Sequence, residues 1–264
     1  MFGGIFTPHF ERSEIVAGPP AEPIGRKIRS DFFKYTPPVY KYYIFMINKL
    51  ESSTSVEDLA VALYDARLPY HNFQHALATA QRGKEIAQRC AKEDVAINAM
   101  VVYYALLFHD AGYHKNCREK GFQTKEEYAA FLASQALAKV GFKDDLIREV
   151  QKAIISTHRD SAFETSEEKA VRAADLSSMA ADYKTFLDNQ RRLKQEAETL
   201  TGQKISWSQW KAKTRELIEF YLKQDIHLTS VYVDETGQSI FHKRTRENLD
   251  RLLQTPDKDL DSAN

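Results

Sequence analysis

The residues in this chain whose types and spacing could do chemistry are the run Tyr70-His71-Asn72-Phe73-Gln74-His75-Ala76, the adjacent pair His109-Asp110, and then His158 and Asp175. Imidazole nitrogen and carboxylate oxygen are the donors that borderline and hard divalent ions accept. A His-Asp pair with a histidine before it and an aspartate after it can therefore surround an ion. Most of these pieces fall at the ends or along the apolar stripes of expected helices, which is where a helical protein builds a buried site.

The elements that must position them follow from periodicity. Asn72 is a good helix N-cap, with Phe73, Ala76, Leu77 and Ala80 behind it at steps of three and four, so His75 falls in a first turn and His71 just outside it. A start at Pro69 would instead put both histidines on one helical face. Val95 to Phe108 is apolar nearly all round, as expected of a helix at the centre of a bundle, and it ends on His109-Asp110, with Gly112 placed to stop it. Lys125 to Val140 reads as an amphipathic helix ended by Gly141. Ile147, Val150, Ile154 and His158 make the buried stripe of the next helix, and Val171, Asp175, Ser178 and Asp182 share a face of the one after. Ser206 caps a helix carrying Trp207, Trp210, Thr214, Leu217 and Tyr221, a set better suited to a core than to base stacking. The alternation in SVYVDETGQSIFH suggests a short hairpin, Glu247 to Leu253 a last helix, and PDKDLDSAN a loose tail.

Residues 1–30 are rich in glycine and proline without a sustained period and read as an irregular arm. Pro37 and Pro38 then precede an aromatic run, Tyr40 to Leu50, that suits a first packed helix. The expected organisation is all-α: the arm over 1–30, one helical domain over 31–256, and a tail over 257–264. With 264 residues, 43% of them hydrophobic, the chain can build a sizeable core. A formal net charge of zero argues against a nucleic-acid scaffold or a polybasic membrane binder. Two cysteines, Cys90 and Cys117, are too few for a disulfide framework or a thiolate zinc site, and a reducing cytoplasm fits best. The N-terminal residues lack the pattern of a signal peptide, and no run approaches the roughly 18 apolar residues of a membrane span.

The order H, HD, D resembles the HD-domain superfamily of metal-dependent phosphohydrolases over about residues 65–180. The run YHNFQHA resembles the signature of cyclic-nucleotide phosphodiesterases. LLFHDAGY, EEYAAFLASQAL, AIISTH, AADLSSM and ENLDRLL are similar to segments of predicted bacterial HD phosphohydrolases. The phosphodiesterases' glutamine clamp has no counterpart that can be located, and HDAGYHKN does not complete the HD-GYP pattern, because His114 stands at the proline position. The resemblance implies an HD-type helical bundle. It also implies ligation of one or two divalent ions (Mn, Mg, Zn, Co or Fe) by His75, His109, Asp110 and Asp175, with His71 protonating the leaving group.

Such an ion would lower the pKa of bound water and polarise a phosphoryl group, and Asp110 could bridge two ions. Histidine as a residue type titrates near neutral pH, so the side chain at position 71 suits a general acid, its plain rival being a hydrogen bond to a carboxylate behind the ligands. His158, Arg159, Lys115, Arg118 and Glu126 are candidates for a second ion or for phosphate. The bland reading of His158 is a hydrogen-bonded core residue, that of Glu126 an acidic helix start, and that of the basic residues ordinary surface charge. His114 reads as solvated, and Arg191-Arg192 as part of a solvated helix face. The expected activity is hydrolysis of a small phosphorylated metabolite, a nucleotide or cyclic nucleotide by preference, without nucleic-acid or membrane partners. Two rivals stand beside it: a di-iron HD-fold oxygenase, and a catalytically silent nucleotide-binding regulatory module.

Overall fold

A computed structural model describes residues 55–224, 226 and 228–261, so the N-terminal arm over 1–30 and the helix expected after Pro37 and Pro38 lie outside the described residues. Within them the chain is all-α, with ten α-helices and no strand. In order these are α1 (Val56–Val61), α2 (Phe73–Lys92), α3 (Ala99–Phe108), α4 (Lys125–Lys139), α5 (Asp144–Ile155), α6 (Ser166–Leu176), α7 (Tyr183–Thr201), α8 (Trp207–Tyr221), α9 (Ile240–Gln254) and α10 (Asp257–Leu260). No helix among the described residues is long and apolar enough to cross a membrane.

Helix α3 is the centre of the larger core. Every residue from Val101 to Phe108 is buried, and α2, α4, α5 and α6 pack around it. Each large side chain buried there contributes roughly 1.5–3 kcal/mol. The helix starts at Ala99, four residues later than its apolar run suggests, because Asn98 accepts a hydrogen bond from the Met100 N–H (3.1 Å) and caps it there. A second core joins α7 to α10 through Phe186, Trp207, Ile218, Leu249, Leu252 and Leu260. Leu176 at the end of α6, with Tyr221 and Ile226, forms a third cluster.

Four expectations need correction. Helix α5 stops at Ile155, so His158 lies in the turn after it and not on its stripe. The hydroxyls of Ser156 and Thr157 donate back to the carbonyls of Ala153 and Ile154 (2.8 and 2.7 Å), and Arg172 occupies the carbonyls of Ser156 and His158. Those groups need no further helical turn. Helix α6 likewise ends at Leu176 and passes into a 3-10 turn, Ser177–Ala180, held by Asn248 Nδ2 donating to Met179 O and Ala181 O (both 2.9 Å). Asp182 therefore caps α7 from an exposed position instead of continuing the face of Asp175.

The expected hairpin reduces to one bridge between Val233 and Ser239. Asp234 Oδ1 accepts from Thr236 N, Thr236 Oγ1 and Gln238 N, closing a tight loop, and Ser239 is already the N-cap of α9, which leaves no length for a second strand. The tail is docked at least as far as Asp261. Leu260 is fully buried, its carbonyl accepts from Arg191 Nε (2.7 Å), and Asp261 accepts from Trp207 Nε1 (2.6 Å). Arg191 is thus half-buried, whereas Arg192 is exposed as expected.

Close approach of α2 to α3 rests on Gly83, where an added Cβ would lie 2.3 Å from Leu106 Cδ1 and 2.8 Å from Val102 Cγ1. Both neighbours are fully enclosed and cannot swing away. Gly83→Ala gains about 1 kcal/mol of helix propensity but overpacks the centre. We expect a net loss of about 1–3 kcal/mol in urea unfolding, and a neutral or stabilised variant would show the α2–α3 spacing to be soft.

Candidate metal centre

The site is assembled from the ends of helices. Asn72 Oδ1 accepts from Gln74 N and His75 N (3.0 and 3.2 Å) while its Nδ2 donates to Leu68 O (2.8 Å), so the helix begins at Phe73 and not at Pro69. His75 projects from this first turn, and the His71 and His75 ring centroids are 5.8 Å apart. His109 is the C-cap of α3. Its Nδ1 lies 2.7 Å from Leu106 O, and because a carbonyl only accepts, Nδ1 carries the proton and Nε2 offers its lone pair to the pocket. Gly112, at φ 72°, turns the chain away after Asp110. Its N–H donates to Leu63 O (2.9 Å), and a Cβ there would meet Tyr128 Cε1 at 2.6 Å. Asp175 comes from the last turn of α6.

Four predicted ligands converge. His109 Nε2 is 2.9 Å from Asp110 Oδ2 and 3.3 Å from Asp175 Oδ1, and His75 Nε2 is 3.6 and 3.7 Å from the same two oxygens. Donors about 2.1 Å from one ion stand about 3.0 Å apart at right angles and about 3.4 Å apart at tetrahedral angles. His75, His109 and Asp110 form a group that could hold a metal ion, and Asp175 adjoins it. His75 Nε2, His109 Nε2 and Asp110 Oδ2 are all buried without a hydrogen-bond partner. Leaving such groups unsatisfied costs about 1–3 kcal/mol each, so the donor set fits a cation better than it fits itself.

Electrostatics points the same way. Burial opposes ionisation of Asp110, but the charges of His109, His71 and His75 outweigh it and hold the carboxyl below the usual carboxylate range. Asp175 is depressed against its burial by His109 and His75. Burial also opposes a proton on His109, yet Asp110 and Asp175 push its pKa well up. The pocket attracts positive charge, whether proton or metal.

His71 stands beside the donors and contributes none. Its Nδ1 contacts Glu196 Oε1, while Glu196 Oε2 accepts from the backbone N–H groups of Tyr70 and His71 (both 2.9 Å). The His71 ring stacks on Tyr113 at 3.9 Å and 14°, and Lys125 Nζ lies 3.3 Å from the Tyr113 centroid. Two objects so close to one ring must occupy opposite faces, so Tyr113 is sandwiched between imidazole and ammonium. Tyr70 OH meets Ser178 Oγ at 3.1 Å and ties this segment to the end of α6.

The other candidates separate. Lys115 and Arg118 are exposed. His158 sits in the turn after α5, where its Nδ1 accepts from Asp160 N (3.4 Å), and it adds no donor to the metal group. Arg159 is 85% buried, since its side chain is 15% exposed. Glu126 is half-buried in the first turn of α4, and its neighbour Glu127 closes the Thr124 capping box. His114 is not simply solvated: it is half-buried, with Nδ1 enclosed and unpartnered, and burial lowers its pKa. Sequence reasoning missed Glu196, Tyr113 and Lys125. Glu196 follows the arginine pair of a charge-rich helix and carries no local signal of burial, although its side chain is 2% exposed.

No family model and no curated protein matches the chain.

Burial opposes ionisation of Glu196, but its hydrogen bond to His71 and the His71 charge outweigh it and lower its pKa. A depressed carboxylate stabilises the fold above its unfolded value and loses that contribution as pH falls. Glu196→Ala strands two half-buried N–H groups and a histidine, and we expect it to cost about 2–4 kcal/mol. Glu196→Gln should lose less and show a flatter fall of stability between neutral and acid pH. Parallel curves for wild type and Glu196→Gln would contradict this.

Proposed function

We propose that the chain is a metal-dependent phosphohydrolase of HD-domain type, acting on a small phosphorylated metabolite, with nucleotides and cyclic nucleotides as the favoured class. The observation that carries the reading is the convergence of buried, unpartnered His75, His109 and Asp110 atoms with Asp175, next to a histidine backed by a buried glutamate. Two imidazoles and two carboxylates suit Mn, Mg, Zn, Co or Fe. A divalent ion bound there supplies an activated water and polarises the phosphoryl group.

The chain's own residues do the rest. His109 is fixed in the tautomer that presents Nε2, because its Nδ1 proton is committed to Leu106 O. His75 Nε2 approaches the same two carboxylates from the first turn of α2. His71 holds its Nδ1 proton against Glu196, which leaves Nε2 to carry the proton given to a leaving oxygen. The Glu196 contact and the Tyr113 stack fix the orientation and plane of the ring. Lys125 holds the other face of Tyr113, so the stack is supported from both sides. The net charge of zero suits a small substrate rather than a nucleic acid, and a cytoplasmic setting agrees with its two free cysteines.

Metal analysis of the purified protein, followed by assay on nucleoside monophosphates, cyclic nucleotides and nitrophenyl esters with Mn, Mg or Co, tests the reading. Stoichiometric metal with no hydrolysis of any ester would overturn it. Asp110→Ala should abolish both metal occupancy and turnover, and full activity with stoichiometric metal would contradict the role of Asp110. His71→Ala should keep near wild-type metal while losing roughly 10²–10⁴ in kcat on poor alkoxide leaving groups. Nitrophenyl esters, whose leaving group needs little protonation, should suffer less. Loss of metal in this variant, or an equal loss on both kinds of ester, would remove the acid role.

A further inference from the structure

Arg159 is a charged side chain with no adequate partner. Its Nε and Nη1 are buried without a hydrogen bond, and the nearest carboxylates among the described residues are too far: Asp160 at 4.0 Å from Nε and Glu216 at 3.7 Å from Nη1. Both acids are mostly solvated, with side chains 67% and 63% exposed. The guanidinium carbon lies 4.3 Å from the centroid of the Phe220 ring, over its face. Among the described residues Nη2 makes no hydrogen bond and is not enclosed; displacement of the exposed Glu216 carboxylate would free Nη1 and complete a fork.

The backbone leading to Arg159 is anchored near the metal donors. Arg172, fully buried, donates from Nη2 to Ser156 O and His158 O (2.6 and 2.5 Å) and from Nε to Ser156 O (3.1 Å). It precedes Asp175 by three residues on α6, about 4.5 Å along the axis. Asp175 meets His75 and His109 from α2 and the end of α3, whereas Arg159 rests on Phe220 and faces Glu216, both from α8. The turn that carries Arg159 is thus held by the helix that carries Asp175, through a side chain three residues before it.

We propose that Arg159 binds a second anionic group of the substrate, so that the substrate is a phosphate ester carrying a further phosphate or carboxylate remote from the scissile bond. This rests on the phosphohydrolase reading above. Arg172 acts through the backbone as the positioning residue for Arg159.

The test compares esters that differ only in the remote group: glycerol 3-phosphate with 3-phosphoglycerate, and fructose 6-phosphate with fructose 1,6-bisphosphate. The first pair reports a carboxylate and the second a phosphate. The metal-loaded full chain is assayed for kcat and KM, and Kd is measured by calorimetry for any ester that is not turned over. Wild type should favour the second member of at least one pair by about 10- to 100-fold in KM or Kd, the usual strength of a charge-assisted contact. Arg159→Met, which keeps the apolar stem on Phe220, should abolish that preference and leave the first members unchanged. Arg159→Lys should restore part of it, and also serves if the methionine variant does not fold. Glu216→Gln should keep or enlarge the preference, whereas a mere surface ion pair would make both sites silent in binding. No preference in wild type, or an equal loss on both members of a pair, overturns the proposal. Absence of all hydrolysis defeats the phosphohydrolase reading instead, and the Kd ratios still decide Arg159.

Discussion

The end of α3 is the constraint on which the rest of the site depends. A helix buried on every side cannot leave its last carbonyls to water, and here side chains satisfy them: His109 Nδ1–H donates to Leu106 O and Tyr64 OH to Leu107 O (2.9 Å). Capping its own helix commits one nitrogen of His109 and turns the other into the pocket. One hydrogen bond therefore serves the fold and the chemistry together. Asp110 follows on the same chain reversal, with Gly112 allowing the backbone to leave without pushing into α4.

That arrangement creates a charge problem at the centre of the molecule. Asp110 and Asp175 face His75 and His109, and Glu196 faces His71, all in a region largely removed from solvent. His71 and Glu196 form a pair whose remaining acceptor capacity is taken by two backbone N–H groups, so this half is closed. The other half is open, with three buried atoms lacking partners. A fold that satisfies one acid-imidazole pair fully and leaves its neighbours short of a positive charge is better matched to a bound cation than to structural packing alone.

Much of this was legible in the sequence because helix periodicity is a local signal. The cap at Asn72, the apolar α3, the cap at Ser206, and the four donors in order are all set by neighbours within a few residues. What was not legible depends on distant partners. His158 looked like a continuation of the α5 stripe, but a buried arginine 14 residues later takes the carbonyl that another turn would have used. Glu196 lies in the charge-rich stretch after Arg191-Arg192, and only its meeting with residues about 125 positions earlier makes it part of the site. The hairpin failed because alternation of side chains says nothing about whether the following residue is needed as a helix cap.

Helix α6 gives the metal donors and the turn that carries Arg159 a shared support. One turn carries Arg172, which fixes the α5–α6 turn, and the next carries Asp175, which meets the ends of α2 and α3. Val171 and Ala174 are enclosed in the larger core, while Leu176 packs with Tyr221 and Ile226. A rigid helix set between two apolar clusters transmits small shifts in one to the other, because close-packed interiors deform little. Asp175 and the backbone that carries Arg159 are thus held in register by the same element. The spacing between the metal donors and the guanidinium is accordingly a property of helix packing rather than of a flexible loop.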